Sequence, residues 1–342
     1  MTETPRLPLS VLDLAMVAEG ATSSQALAET TRLARRADEL GYTRFWVAEH
    51  HNMATVASTA PPVLIAHLAA VTERIRVGSG GVMLPNHPPL VVAEQFALLE
   101  AMHPGRIDLG IGRAPGTDLA TAAALRRTPD ALGAEDFPRH LIDVMGLLGD
   151  VRSNRGLWER FSATPAQQSS PSVLLLGSSD FSAQLAGMLG LPFAFAHHFD
   201  MGGTLEAVDI YRASFEPSSL LEHPYTIVSA TVLAAESDEQ AQLMAAPSRL
   251  RRYGMRTGRL LPLLSPEEAM AHPDMEMALR MASSSIIGTP SAVARGLEQL
   301  AAATGADELM TFTPTHGIDE RLWSVENLAA EWGLLPAPSN GQ

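Results

Sequence analysis

Apolar runs of strand length alternate with amphipathic segments of helix length along almost all of this 342-residue chain. Eight such runs at even spacing predict an α/β fold, a (β/α)8 TIM barrel, in preference to an open sheet. Composition agrees. Hydrophobic residues make up 46% of the chain, enough for a large core, and the length suits one barrel with insertions.

The runs at Leu7–Met16, Thr43–Ala48, Arg76–Met83 and Arg106–Ile111 are rich in Val, Ile and Leu, as strands buried on both faces are. Val173–Leu176, Pro192–Ala196, Tyr225–Ala234 and Glu308–Phe312 complete the eight. Between the first two, Ala26, Thr30, Leu33, Ala37 and Leu40 recur at helical spacing. Glu29, Arg32, Arg36 and Glu39 mark the solvated face, and Gly41 supplies the stop. Thr289-Pro290 starts a helix running to about Ala303 as N-cap and first-turn residue. Ile318, Leu322, Val325, Leu328 and Trp332 give the closing helix its apolar stripe. Two stretches break the pattern, residues 112–136 and 248–273, the second carrying Arg249, Arg251, Arg252, Arg256 and Arg259. Both are expected to be mobile loops over the C-terminal mouth of the barrel.

Charge and composition exclude whole classes of function. With 24 basic and 38 acidic residues the net charge is −14, which disfavours nucleic acid and anionic membranes as partners. The chain has no Cys, so disulfides, thiolate catalysis and Cys-ligated metals are excluded. Asp13 and Glu19 fall where a secretory signal needs an apolar stretch, and the uncharged run from Met53 to Thr72 is broken by Pro61 and Pro62. A soluble, cytoplasmic protein is the expectation.

Five clusters offer chemistry, one within a strand and the others at C-terminal strand ends, where barrel active sites assemble. Glu49-His50-His51 closes the second strand. Alternation turns only one of Glu49 and His50 to the lumen, as a general base or hydrogen-bond donor, or else the His pair satisfies loop carbonyls. No helical His-x-x-x-His supports a metal. The glycines of Val77-Gly78-Ser79-Gly80-Gly81-Val82 mark a bulge, or a bare wall for a flat ring. Gly110-Ile111-Gly112-Arg113 is a poor dinucleotide fingerprint, but it leaves Arg113 as a possible anion clamp. Leu176-Gly177-Ser178-Ser179 runs from a strand into a helix containing Ser182. That turn is either a phosphate cradle or an ordinary N-cap. His197 and His198 end the next strand, with one of them available to line a pocket.

Together these segments resemble the bacterial luciferase-like, flavin-dependent monooxygenase family. The resemblance rests on Phe45 to His51, Val77 to Pro85, Pro104 to Arg113, and Leu176 to Ser179 continuing to Gly190-Leu191-Pro192, in order over roughly residues 7 to 335. It implies one barrel domain over residues 1–342 that is usually dimeric, with FMN at the mouth. Arg113 and Gly177, Ser178, Ser179 and Ser182 would hold the phosphate. Glu49, Gly80 and Gly81 would border the flavin, with a cis peptide between the glycines. His50 matches the catalytic His, and His197 and His198 become substrate-pocket candidates. Gly112 stands where the luciferase α-subunit has a reactive Cys, so light emission is not required. The resemblance further implies that a separate reductase supplies reduced FMN, which with O2 forms a peroxyflavin and oxidises a small organic substrate. Leu12-Asp13-Leu14 points to the single-subunit oxidoreductases, which include tailoring enzymes of aromatic polyketide pathways such as that of mensacarcin. A polyketide intermediate, epoxidised or hydroxylated, is therefore the substrate expectation. A deazaflavin-dependent oxidoreductase and a non-catalytic flavin-storage protein are the alternatives on this fold.

Overall fold

All eight apolar runs form strands in the computed structural model, which describes residues 6–114, 116–126, 136–166, 168–199 and 201–334. They are β1 (Leu9–Asp13), β2 (Arg44–Val47), β3 (Arg76–Met83), β4 (Ile107–Gly112), β5 (Ser172–Gly177), β6 (Phe193–Phe195), β7 (Thr226–Ala234) and, last in the chain, β9 (Glu308–Phe312). A further strand, β8 (Ile286–Gly288), was not expected. Strands β1 to β7 pair in succession, and β9 closes the circle between β7 and β1, every pairing parallel. This is the (β/α)8 barrel. The extra strand extends β7, whose Val232–Ala234 reach past β9 and pair with it. Three residues beside a serine run are too short to register as an apolar segment.

Alternation along the strands sorts side chains between two cores. Inward-facing Leu12, Trp46, Leu174, Ala194, Ile227 and Met310 fill the lumen. Their neighbours Val11, Phe45, Val47, Leu175, Val228 and Leu309 face outward and pack with the surrounding helices. The first helix, Ser23–Leu40, shows how directly local chemistry sets the elements. Thr22 and Gln25 cap each other at its start, and Gly41 ends it at φ 84°, in the left-handed region glycine adopts without strain. The helix Pro290–Thr304 likewise begins at its Thr289 cap.

At the N-terminal ends of the strands the lumen is plugged by charge. Asp108 accepts from Arg44 Nη1 at 2.8 Å, Arg76 Nε at 2.8 Å and Trp46 Nε1 at 3.0 Å. Glu308 accepts from Arg44 Nε at 3.0 Å, Tyr225 Oη at 2.7 Å and Ser10 Oγ at 2.5 Å. Both carboxylates are wholly buried. Burial opposes the Arg44 charge, yet the two carboxylates outweigh it and raise the guanidinium pKa.

The two stretches expected as loops differ from expectation. Residues 248–256 are the last turns of a helix spanning Asp238–Arg256, capped by Ser237, and a second helix covers Pro266–Ala271. Pro247 and the run of arginines disguised this helix, whose buried face sets Arg251 among Ala241, Ala245, Ala246 and Leu250. In the other stretch Leu119–Arg126 is helical, while Pro115 and residues 127–135 lie outside the described residues. No helix among the described residues is long and apolar enough to cross a membrane.

Candidate active site

The C-terminal strand ends enclose a cavity of about 350 Å³, floored by the apolar lumen residues Leu12, Trp46, Ile227 and Met310. Its walls come from β3 itself and from the ends of β2, β4, β5 and β6 and the residues that follow them, so all five sequence clusters contribute to it.

Gly80 and Gly81 form one wall, joined by a cis peptide bond. The register against β4 shifts between Gly80 and Val82, which is the expected bulge. Neither position has room for a side chain. A Cβ on Gly81 would sit 2.9 Å from the Gly110 carbonyl oxygen, and one on Gly80 would lie 3.0 Å from Leu12 Cδ1. The wall is bare peptide because β4 and the lumen press on it from behind.

A second wall is built for an anion. Arg113, just past β4, lies with its guanidinium carbon 4.3 Å from the centroid of the Phe181 ring, and it makes no ion pair among the described residues. Gly177, Ser178, Ser179 and Ser182 line the same end. The helix Asp180–Met188 starts here, and its N-cap Ser179 makes no capping hydrogen bond. Its free N–H groups and the exposed Ser178 and Ser179 hydroxyls are left for a ligand.

His50 forms the opposite side, and Glu49 does not. The strand turns Glu49 away from the cavity into a buried pocket, where it is 1% exposed. His51 Nε2 lies 2.8 Å and His87 Nε2 2.9 Å from its Oε1, Asn86 Nδ2 donates at 3.1 Å, and Met83 N–H donates to Oε2 at 2.9 Å. Burial opposes ionisation, but the donors His87, His51 and Met83 N–H outweigh it and hold the carboxyl below its usual range. Ligand atoms of Glu49, His51 and His87 lie within 4.8 Å of one another. However, the Asn86 and Met83 hydrogens aimed at the same carboxylate would repel a cation. Glu49, expected to border the flavin, instead ties the end of β2 to the turn after β3 and so aims His50 at the cavity. The Nδ1 of His50 is buried without a partner, and burial, reinforced by Arg251, lowers its pKa to about 4.

Of the adjacent imidazoles only His198 reaches the cavity. A tight helical turn over His197–Phe199 sends His197 to Thr204 Oγ1, 2.7 Å from its Nδ1, and removes it from the pocket. His198 Nδ1 lies 2.6 Å from Ser229 Oγ, which itself donates to the Phe195 carbonyl at 3.1 Å. A hydroxyl donating there accepts from the imidazole, so Nδ1 carries the hydrogen and Nε2 is the free acceptor. Burial, with smaller contributions from His197 and His50, lowers the His198 pKa to about 4. Both cavity imidazoles are therefore neutral near pH 7.

The sequence clusters did not show the floor, Ser229 or Arg251. The inward alternation of Leu12, Trp46 and Met310 was the available signal for the floor. Nothing local marks Ser229 or Arg251, whose importance comes from contacts with distant strands.

Comparison with known proteins gives the same frame. Residues 7–308 match the luciferase-like monooxygenase family. A luciferase-like monooxygenase of Escherichia coli K12 is 41% identical over 324 residues, covering 94% of this chain and 95% of that one. An N-acetyl-S-alkylcysteine monooxygenase of Bacillus subtilis is 34% identical over 335 residues, covering 94% and 97%. The crystal structure of apo-MsnO8 superposes with a TM-score of 0.88 at 39% identity, covering 97% of this chain and 99% of that one. The match runs through the strands and turns that build the cavity, and the chain belongs to the luciferase-like monooxygenase family.

Proposed function

We propose that this chain is an FMN-dependent monooxygenase acting on a small organic substrate with O2, its reduced FMN delivered by a separate reductase. A homodimer as its assembled form rests on the family resemblance, and the cytoplasm as its compartment on the sequence pattern of the first 20 residues and of residues 53–72. The observation that carries the reading is the division of one cavity into three unlike walls. There is a bare Gly80–Gly81 peptide, an anion end at Arg113 and the serine turn, and an imidazole end at His50 and His198. FMN has three matching parts: a flat ring, a phosphate and a reacting edge.

Reduced FMN, when bound, supplies the two electrons with which one atom of O2 enters the substrate and the other leaves as water. The protein does the rest. Arg113 and the hydroxyls of Ser178, Ser179 and Ser182 bind the phosphate at a helix N-terminus, where the unpaired N–H groups add to the attraction. The glycine wall and the apolar floor seat the ring and keep water from it. His198 offers Nε2 as a hydrogen-bond acceptor. Neutral His50, aimed by the Glu49 hub, holds or passes a proton at the reacting edge.

The test is spectroscopic and then catalytic. The purified chain is titrated with FMN, riboflavin and a deazaflavin, and then given photoreduced FMN while O2 uptake is followed. FMN binding with O2 consumed into a product is the expected result. Selective deazaflavin binding would replace the reading with a deazaflavin-dependent oxidoreductase. FMN retention with no O2 uptake beyond that of free reduced flavin would make the chain a storage protein.

A further inference from the structure

A second cavity of about 140 Å³ opens off the imidazole end of the first. The two share Leu14, His50, His198 and Phe199, and the second includes neither Arg113 nor any residue of the serine turn. Arg249, Arg251 and Arg252 line it, all from the helix Asp238–Arg256, and among the described residues no Asp or Glu does.

Two of these arginines, Arg249 and Arg251, make no ion pair among the described residues. Arg251 is 8% exposed, yet its Nε has no hydrogen-bond partner and its Nη2 reaches only Thr55 Oγ1, at 3.3 Å. Arg249, half-buried, makes no hydrogen bond or ion pair among the described residues. Arg252 donates to Ser283 Oγ at 2.7 Å. Burial lowers the pKa of both Arg249 and Arg251, with Arg252 adding repulsion at Arg249. Buried cations are retained where something neutralises them, and no carboxylate among the described residues does so for Arg249 and Arg251. Bidentate recognition of an oxyanion is what a planar guanidinium does best. The remaining lining, with Met16, Met53 and Phe312, is apolar and suits the carbon chain behind such a head group.

We infer that Arg249 and Arg251 form an anion subsite, and that the substrate is a small organic molecule whose carboxylate or sulfonate docks there while its apolar end extends past His50 to the flavin ring. This deepens the proposed function and rests on the larger cavity being the flavin site.

The experiment measures binding of hexanoate, hexanesulfonate and hexanamide by calorimetry, with and without FMN, to the native chain, R249M and R251M. Both anions are expected to bind about tenfold or more tightly than the neutral amide. R249M should abolish that preference while FMN and riboflavin bind it as they bind the native chain. The ratio between the two anions assigns the head group. Equal binding of the three probes to the native chain overturns the inference, as does a preference that survives in R249M. R249M tests this even if R251M does not fold, since Arg249 has no partner to lose among the described residues. A loss of FMN but not riboflavin in R249M would mean that the arginines hold the flavin phosphate, which also overturns it. Anion preference in a chain that binds no FMN would instead remove the flavin reading and leave the subsite standing.

Discussion

The two ends of the barrel handle charge in opposite ways. At the closed end Asp108 and Glu308 are wholly buried, and each meets a set of donors from neighbouring strands. At the open end Arg113, Arg249 and Arg251 stand without carboxylates, and His50 Nδ1 without a partner, among the described residues. The same physical cost of burying charge is met inside the fold at one end and left for a ligand at the other. Satisfied charge marks architecture, and unsatisfied charge marks the site.

Breaking the satisfied end should have the largest effect. Asp108→Ala strips an acceptor from Arg44, Arg76 and Trp46 at once and leaves buried guanidinium charge behind. A loss of about 3–5 kcal/mol is expected, measured by urea unfolding. A loss under 1 kcal/mol would mean that water reaches this plug and that the two ends differ less than the geometry implies.

Next comes His50. His50→Ala should lower product formation by about 10²-fold or more, raise hydrogen peroxide release, and leave oxidised FMN binding near normal. Photoreduced FMN as donor removes any reductase from the assay. Unchanged product coupling in a folded, FMN-competent variant would reduce His50 to a structural residue and favour the storage alternative. Arg113→Ala sharpens the same contrast from the other side of the cavity. It should weaken FMN by about 1.5–3 kcal/mol while riboflavin, which has no phosphate, loses little. Equal losses for both ligands would place Arg113 elsewhere.

How much of this is legible in the chain itself differs between the two ends. Barrel strands announce themselves as apolar runs, so all eight are readable, together with the helix caps at Thr289 and Gly41. Residues at the C-terminal strand ends are readable too, because the fold alone places His50, Arg113 and Ser178 at the mouth. Hubs are not. Glu49 looks like a site residue because it sits beside His50, yet its acceptor role depends on Met83, Asn86 and His87, up to 38 residues away in sequence. The three arginines look like a polar lid for the opposite reason. A helix that sets Arg251 among its buried Ala241, Ala245, Ala246 and Leu250 interrupts the apolar stripe by which periodicity is read.

The neutral imidazoles supply a pH test of the open end. His50 and His198 have folded pKa values of about 4 against an unfolded value near 6.5, so between those limits the unfolded chain binds more protons. Their contribution to stability is complete above pH 6.5 and is lost as the pH falls toward 4. The groups setting it are Arg251, Glu49 and His51 around His50, and His197 and His50 around His198. Unfolding at pH 7 and pH 5 should differ by on the order of 1–2 kcal/mol for each imidazole. His198→Asn, which keeps a donor for Ser229, should remove its share of that slope. A slope unchanged in the variant would show that His198 titrates normally and is better hydrated than its surroundings suggest.

The smallest effect is the most pointed, because its sign opposes that of Asp108. Arg249 is desolvated, lies near Arg252, and has no partner among the described residues. Replacing it with Met keeps a flexible stem of similar reach and removes a charge that none of those residues neutralises. If its purpose is to hold a ligand, the fold gains by losing it, as it does when a functional residue has been retained against stability. Arg249→Met is therefore expected to leave unfolding free energy unchanged or raise it by up to about 1 kcal/mol, with the midpoint in urea moving to higher concentration at constant slope. The measurement belongs in ligand-free buffer of low ionic strength, since chloride or phosphate would occupy the pocket and stabilise the native chain selectively. Adding hexanoate should then raise the midpoint of the native chain and not that of R249M, reversing their order. A clear destabilisation by Arg249→Met in ligand-free buffer would mean that Arg249 already has its counter-charge within the fold, and the open end would then be no different in kind from the closed one.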